Sequence, residues 1–241
     1  MIAASIFLRD TTFLDYGYIV AFSLFILGLH YMTRPQTARH GNRVAGVGMT
    51  LAVLDTLLRP GIGKWGLILL GLAIGTAVGI PAARRVKMTA IPQMVALFNG
   101  VGGGAVALIA WAEYRRRFPG AGGALWDQKA QIPSLFAAII GSISFWGSNI
   151  AFGKLQEILP GRPIRLPGQQ IVNGVLALVA TVSAVILASG THSEVLFVLG
   201  ILVCAAVLGN LVVLPIGGAD MPVVISLLNA FTGLSAAALS R

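Results

Sequence analysis

Three uncharged polar side chains stand inside long apolar runs of the sequence: Asn99, Ser148 and Asn229. At about 1.5 Å of rise per helical residue, they lie roughly 10, 9 and 13 Å from the ends of their predicted helices, all measured from the same side. Amide and hydroxyl groups that share one depth can hold a file of water molecules, along which a proton moves. None of the three ionises near neutral pH, so they would orient water without storing a proton.

Other polar residues extend this level. Ser144 stands one turn before Ser148 and is a weaker candidate for the same path, and Asn149 and Ser226 are close neighbours in the sequence. The structural alternative is that these groups only join helices through hydrogen bonds, each worth about 0.6 kcal/mol in a membrane. The pattern leaves both interpretations open.

A polar turn, Gly217-Gly218-Ala219-Asp220-Met221-Pro222, precedes the run that holds Asn229. Its order is typical of a helix start, with an acid that can cap free N–H groups and a proline in the first turn. We therefore expect the two glycines to loosen the turn and Asp220 to cap the last helix.

The composition places these residues in a membrane protein. The chain is 56% hydrophobic and 10% charged, with a mean hydropathy of +0.86, whereas a soluble domain carries about 25% charged residues. The net charge of +9 comes from short Lys and Arg clusters between apolar runs. The positive-inside rule and anionic lipid headgroups explain these clusters without a nucleic-acid partner. We predict an all-α, polytopic transmembrane helix bundle in a lipid bilayer.

Eight apolar segments are long enough to cross a bilayer as helices, which satisfy their own backbone hydrogen bonds in lipid. They are expected at about 14–32, 43–58, 64–81, 91–112, 131–153, 168–189, 194–214 and 221–240. We take residues 1–241 as one transmembrane domain with no soluble domain. Many of the 30 glycines fall inside these segments, which predicts close helix packing.

Loop charges predict the orientation, because lysine and arginine are in excess on the cytoplasmic side. Nine positive residues lie in or beside the loops after the first, third and fifth segments, against six on the opposite side. We therefore expect the N-terminus outside. The nine are Arg34, Arg39, Arg43, Arg84, Arg85, Lys87, Lys154, Arg162 and Arg165, and the six are Arg59, Lys64, Arg115, Arg116, Arg117 and Lys129.

Ionisable residues near the segments are few. Asp55 and Arg59 are four residues apart, a spacing that predicts an ion pair on one helix face. An acid inside a membrane is also a candidate functional residue by default, so both interpretations of Asp55 stay open. Lys154 and Glu157 are expected to be solvated at the inner end of the fifth segment.

The run Gly100-Val101-Gly102-Gly103-Gly104-Ala105 matches the GxGxxA fingerprint of dinucleotide-binding proteins. That fingerprint has its meaning only between a strand and the start of a helix. Here it continues a helix that has already begun near Pro92, so close helix packing explains it. We predict no cofactor-binding and no metal-binding residue in this chain.

Three runs resemble one known family: Met88–Asn99, Gly147–Leu155, and Gly217–Val223 together with Asn229. They are similar to the membrane part of the beta subunit of proton-translocating NAD(P)+ transhydrogenase. The resemblance implies an enzyme whose soluble domains transfer hydride between NADH and NADP+, and whose membrane domain couples that transfer to inward proton passage. By this likeness Asn99, Ser148 and Asn229 match the family's proton path.

The resemblance also implies a coupling loop and partners. Asp220, with Gly217 and Gly218, matches the loop that faces the NADP(H)-binding domain. The expected partners are an alpha subunit and that domain, in a dimer of alpha–beta units within the cell inner membrane.

Two departures from the family pattern matter. Some members have a histidine, their proton acceptor, where Asn99 stands. The titrating group here would therefore come from a partner subunit's helix or from a water cluster, or there would be none. The family's beta subunit continues through a ninth span into an NADP(H)-binding domain, whereas this sequence stops at Arg241. We therefore expect NAD(H) and NADP(H) only in the parent complex, and no hydride transfer by this chain alone. A non-conducting structural fragment and an unrelated secondary transporter remain as alternative functions.

Overall fold

A computed structural model describes residues 11–60, 62–116 and 128–239 of the chain. This part of the chain contains eight α-helices and no strand, which confirms the all-α prediction. The helices are α1 (Thr11–Met32), α2 (Ala38–Leu58), α3 (Trp65–Arg85), α4 (Ile91–Arg116), α5 (Gln128–Leu155), α6 (Gln169–Ala188), α7 (Cys204–Val213) and α8 (Met221–Leu239). Short 3₁₀ turns, Met88–Ala90 and Gly218–Asp220, precede α4 and α8, and a π-helical segment, Leu196–Val203, precedes α7. Three residues named in the sequence predictions lie outside the described residues: Arg117, residue 240 and Arg241.

Seven segments of the described chain are long and apolar enough to cross a membrane. The π-helical segment and α7 together form one of them, Leu196–Val213. The remaining helix, α2, begins at Ala38 rather than near residue 43, so that it includes the polar residues Arg39, His40 and Arg43. These polar residues lower the mean hydropathy of α2, which is therefore not among the seven apolar segments, but they do not interrupt the helix.

The chain forms two compact units, Met1–Arg84 and Arg85–Arg241. In the first unit α1 and α2 pack closely through glycines. A Cβ added at Gly28 would lie 2.9 Å from Ala45 Cβ, and one added at Gly48 would lie 3.0 Å from the Ala21 carbonyl oxygen. α3, by contrast, buries none of its residues against the rest of the described chain.

The expected ion pair between Asp55 and Arg59 is wrong. Arg59 bonds instead to Asp15 of α1, with 2.8 Å between Nη2 and Oδ1. Asp55 is buried against the bare Cα of Gly17, and its Oδ2 has no hydrogen-bond partner among the described residues. The spacing of residues along one helix cannot predict that Arg59 pairs with Asp15, an exposed acid on a neighbouring helix.

The second unit is built around α5, which packs against α4, α7 and α8. Glycines let α4 and α5 touch backbone to backbone, because a Cβ at Gly103 would lie 2.8 Å from Ser144 Cβ and 3.0 Å from the Gly141 carbonyl oxygen. The glycine run that resembles a dinucleotide fingerprint is thus a helix-packing surface, as predicted. Small residues at such contacts strengthen association in lipid by close van der Waals packing.

Two apolar clusters lie toward opposite ends of this unit. One contains Tyr114, whose ring stacks on Phe197 at a centroid distance of 4.5 Å. The other contains Ala96, Val213 and Met221, together with Ala151, Ile225 and Leu228. The polar residues that the sequence singled out on α4 and α5 lie between these clusters along the helices.

Candidate functional site

Asn99 of α4 and Ser148 of α5 form a buried polar pair. Asn99 is 6% exposed and Ser148 is fully buried. The Asn99 Nδ2 group donates a hydrogen bond to Ser148 Oγ over 2.8 Å. The other amide atom, Asn99 Oδ1, is buried and has no partner among the described residues.

The glycines of α4 explain why two short side chains can meet. Gly100 faces Ser148, because an added Cβ at this position would lie 3.3 Å from Ser148 Cβ. The equivalent position one turn later is Gly103, which faces Ser144. Larger residues at these positions would hold the helices apart, and Asn99 could not reach Ser148.

Ser144 continues the polar line toward α8. It is fully buried, and its hydroxyl donates to the Leu228 carbonyl oxygen over 3.4 Å. Asn149, which the sequence also suggested, bonds back to the Phe145 carbonyl oxygen on its own helix. The serines of α5 therefore contact both flanking helices.

The structure does not bring Asn229 to this pair. The buried residues of α8 are Met221, Ile225, Leu228, Thr232 and Ser235, at the spacing of a single helix face. Asn229 is one residue beyond Leu228, about 100° around the helix at 3.6 residues per turn. It is exposed within this chain, as is Ser226.

The turn before α8 differs from a capped helix start. Gly218–Asp220 form a 3₁₀ turn and α8 begins at Met221. Asp220 is exposed, and its carboxylate makes no hydrogen bond to a described residue, so the expected cap is wrong. A short 3₁₀ turn supplies backbone acceptors at this end in place of a side chain. Gly217 is extended, with φ −71° and ψ 154°, so this turn does not require the conformational freedom of glycine there.

Lys154 is buried, and the expectation that it is solvated is wrong. It is 2% exposed. Its ammonium group donates to the carbonyl oxygens of Leu214 (2.5 Å), Ile216 (2.8 Å) and Arg162 (3.4 Å). These bonds join the end of α5 to the loop before α6 and to the connection between α7 and α8.

The loop after α5 explains this burial. Leu159 N bonds to the Gly153 carbonyl oxygen over 2.9 Å, and the Leu159 side chain covers the bare Cα of Gly153. Glu157 takes a left-handed conformation, with φ 58°, to reverse the chain. The sequence signal that could have revealed the fold-back is the Gly153-Lys154 pair at the end of an apolar run.

Two glutamines join helix ends on the same side of the unit, and no sequence pattern singled them out. Gln93 donates to the Leu155 carbonyl oxygen over 3.0 Å, and Gln169 donates to the Leu211 carbonyl oxygen. Such bonds satisfy carbonyls that a helix end leaves without an intrahelical partner. Within the described ranges, no group of three or more His, Cys, Asp or Glu residues could hold a metal ion.

The apolar helices and the polar groups between them define a multi-pass α-helical membrane protein. The model of the NAD(P) transhydrogenase beta subunit family matches residues 14–240, and the chain belongs to that family.

Curated relatives agree with this assignment. Two proteins named NAD(P) transhydrogenase subunit beta, one from Rhodospirillum rubrum and one from its strain ATCC 11170, are each 44% identical to the chain over 224 residues. The match covers 92% of this chain and 48% of each relative. The chain thus spans about half the length of the curated relatives that it matches.

Proposed function

We propose that this chain is the membrane proton-path component of a proton-translocating NAD(P)+ transhydrogenase. In this proposal the proton movement is coupled to hydride transfer between NADH and NADP+, which soluble domains of the complex carry out. NAD(H) and NADP(H) bind to those domains and not to this chain. The family membership and the buried polar pair support the proposal.

The observation that carries the proposal is the unused bonding capacity of the Asn99–Ser148 pair. An amide has two N–H donors and a carbonyl acceptor, and a hydroxyl both donates and accepts. The Asn99 Oδ1 acceptor is buried and unpartnered among the described residues, while Ser148 Oγ already accepts from Asn99 and retains its own proton to donate. An acceptor and a donor side by side are the groups that orient a water molecule during proton transfer.

Asn229 enters the path, in this proposal, at a boundary with another subunit. An asparagine that faces lipid is unfavourable and usually meets another polar group inside a helix bundle. Asn229 and Ser226 are both exposed on α8. We place helices of an alpha subunit over this face, in a dimer of alpha–beta units in the cell inner membrane with the N-terminus outside.

Asp220 has the coupling role in the proposal. Its carboxylate is exposed and forms no hydrogen bond to a described residue, so it is available to a partner. We propose that this partner is the NADP(H)-binding domain, which would sense or change the state of the Gly217–Asp220 turn. Residues 1–241 serve as one transmembrane domain in this arrangement.

The test uses the complete complex in sealed vesicles, with proton uptake and hydride transfer measured together. Asn99→Leu and Ser148→Ala should each lower proton-coupled turnover about tenfold or more, which corresponds to about 1.4 kcal/mol of activation free energy. Ser142→Ala is the matched control, because Ser142 is a buried serine of α5 whose hydroxyl bonds to the Leu202 carbonyl oxygen, away from the pair.

A structural role is the second candidate, because the Asn99–Ser148 bond joins two helices directly. It predicts a different result. All three variants would then lower the unfolding temperature by similar amounts, and the ratio of protons moved to hydride transferred would stay at the wild-type value. That outcome would remove the pair from the proton path.

A further inference from the structure

Lys154 combines deep burial with a full set of bonds to backbone carbonyl groups. Of the ion pairs among described residues, none includes Lys154. The positive charge is met by carbonyl dipoles, and the three N–H donors of the ammonium group have three acceptors. A buried charge is tolerated only when it is bonded in this way.

The acceptors belong to the two chain segments that meet beside Asp220. The Leu214 carbonyl ends α7, where the helix dipole is negative and attracts a cation. Ile216 immediately precedes Gly217, the first residue of the turn that leads to Asp220. Arg162 belongs to the loop between α5 and α6.

The same two segments are joined by backbone hydrogen bonds. Gly218 N donates to the Gly161 carbonyl oxygen over 2.8 Å, and Ile164 N donates to the Leu214 carbonyl oxygen over 3.0 Å. Lys154 Nζ lies where these segments meet, because it bonds to both of them. The position of the Gly217–Asp220 turn is therefore tied to the end of α5.

We propose that Lys154 is a positioning residue that fixes the Gly217–Asp220 turn relative to Ser148, and so transmits changes between the proton path and the coupling turn. Lys154 and Ser148 are six residues apart on α5, roughly 9 Å along a rigid helix. This inference rests on the proposed function for its coupling role. The clamp itself, defined as the Lys154 ammonium with its three carbonyl acceptors, does not depend on that function.

The clamp is tested by proteolysis of the complete complex. The loop of residues 156–168 contains two arginines, and Arg162 precedes a proline, so trypsin can cut this loop after Arg165. Cleavage requires the loop to open locally. Lys154→Met removes the ammonium group and keeps an unbranched side chain of nearly the same length, and we expect at least about tenfold faster cleavage after Arg165. Lys87→Met, which changes an exposed lysine of the same unit, should leave the rate unchanged.

Chemical rescue separates the ammonium group from simple packing. Lys154→Ala lacks three carbons and the nitrogen, which together correspond to propylammonium. Millimolar propylammonium should slow the cleavage of Lys154→Ala toward the wild-type rate, and 1-propanol, of similar size but uncharged, should not. Should Lys154→Met fail to accumulate, Lys154→Gln provides the same comparison, since it is neutral but keeps N–H donors.

The positioning role is tested by the ratio of protons taken up to hydride transferred in vesicles. We expect the ratio to fall at least about twofold in Lys154→Met, while hydride transfer between nucleotides in the absence of a proton gradient continues. An unchanged cleavage rate in both Lys154→Met and Lys154→Gln would overturn the clamp. Faster cleavage with an unchanged ratio would overturn the positioning role. A wild-type complex that moves no protons would instead refute the proposed function, and the cleavage and rescue results would still decide the clamp.

Discussion

An alanine at Gly103 is expected to push α4 and α5 apart. The added Cβ would lie 2.8 Å from Ser144 Cβ, 2.9 Å from Phe145 N and 3.0 Å from the Gly141 carbonyl oxygen. Two of these atoms belong to the backbone and cannot rotate away. Because ordinary contacts between carbon atoms are about 3.5–4.0 Å, the two helices must separate by roughly 0.5–1 Å.

The separation has an energetic and a functional consequence. Overpacking of this kind lowers stability by about 1–3 kcal/mol, and replacing glycine by alanine inside a helix returns about 1 kcal/mol. The net loss for Gly103→Ala is therefore about 0–2 kcal/mol. The same separation would stretch the 2.8 Å bond between Asn99 and Ser148 beyond the usual limit of about 3.2 Å.

Gly102→Ala is the matched control on the same helix. The nearest atom to its added Cβ is Thr232 Cγ2 at 3.8 Å, an ordinary contact. It should gain about 1 kcal/mol of helix propensity without strain. The two variants should therefore differ by about 1–3 kcal/mol, or by about 2–12 °C in unfolding midpoint for a chain of this size.

The assay is thermal unfolding of the purified protein, followed by tryptophan fluorescence, to which Trp111 of α4 and Trp146 of α5 contribute among the four tryptophans of the chain. Under the proposed function, proton-coupled turnover of the complete complex, measured in parallel, should fall for Gly103→Ala alone. Equal unfolding midpoints for Gly102→Ala and Gly103→Ala would refute the claim that glycine contacts set the distance between α4 and α5.

Three further predictions concern other parts of the chain. Asp15→Asn should change the free energy of unfolding by less than about 1 kcal/mol, since its pair with Arg59 is largely exposed; a larger loss in thermal unfolding would contradict this. Gly17→Ala should destabilise the protein by about 1–3 kcal/mol, because the new Cβ would lie 2.0 Å from Asp55 Oδ2. The double variant with Asp55→Ala should be more stable than the sum of the single changes, and strict additivity in the double-mutant cycle would count against a direct clash. Gly218→Ala should leave the unfolding midpoint nearly unchanged, because the nearest atom to the added Cβ is at 3.6 Å; a clear drop in that midpoint would contradict this.

The helices could be predicted from the sequence because apolar composition is a local property. The positions of α4, α5 and α8 follow from where lipid-compatible runs begin and end. The sequence predicts too short an α2 for the same reason, since Arg39 and His40 interrupt the apolar pattern without interrupting the helix.

The meeting of side chains was only partly predictable. The number of residues from a helix end gives the depth of a side chain along its helix, and it predicts similar depths for Asn99, Ser148 and Asn229. It does not give the direction in which each group points. The buried face of α8 contains Met221, Ile225 and Leu228. Asn229 is not on this face, so it points away from the Asn99–Ser148 pair.

The contacts of charged residues required the tertiary structure. Arg59 bonds to an acid on another helix, and Lys154 bonds to carbonyl groups that lie far away in the sequence. A lysine at the end of a helix usually reaches water. This one donates instead to the carbonyl oxygens of Arg162, Leu214 and Ile216, which the fold brings to the end of α5.

The unburied surface of α3 has a practical consequence. Because none of its residues is buried against the rest of the described chain, exchanging one apolar side chain for another along Trp65–Arg85 should scarcely affect how the chain itself folds. A profile of such apolar exchanges along α3, recorded in the membrane, would then carry almost no background from packing against the rest of the described chain. Each intolerant position would report a neighbour outside the described residues, so that α3 can serve as an internal probe of its environment.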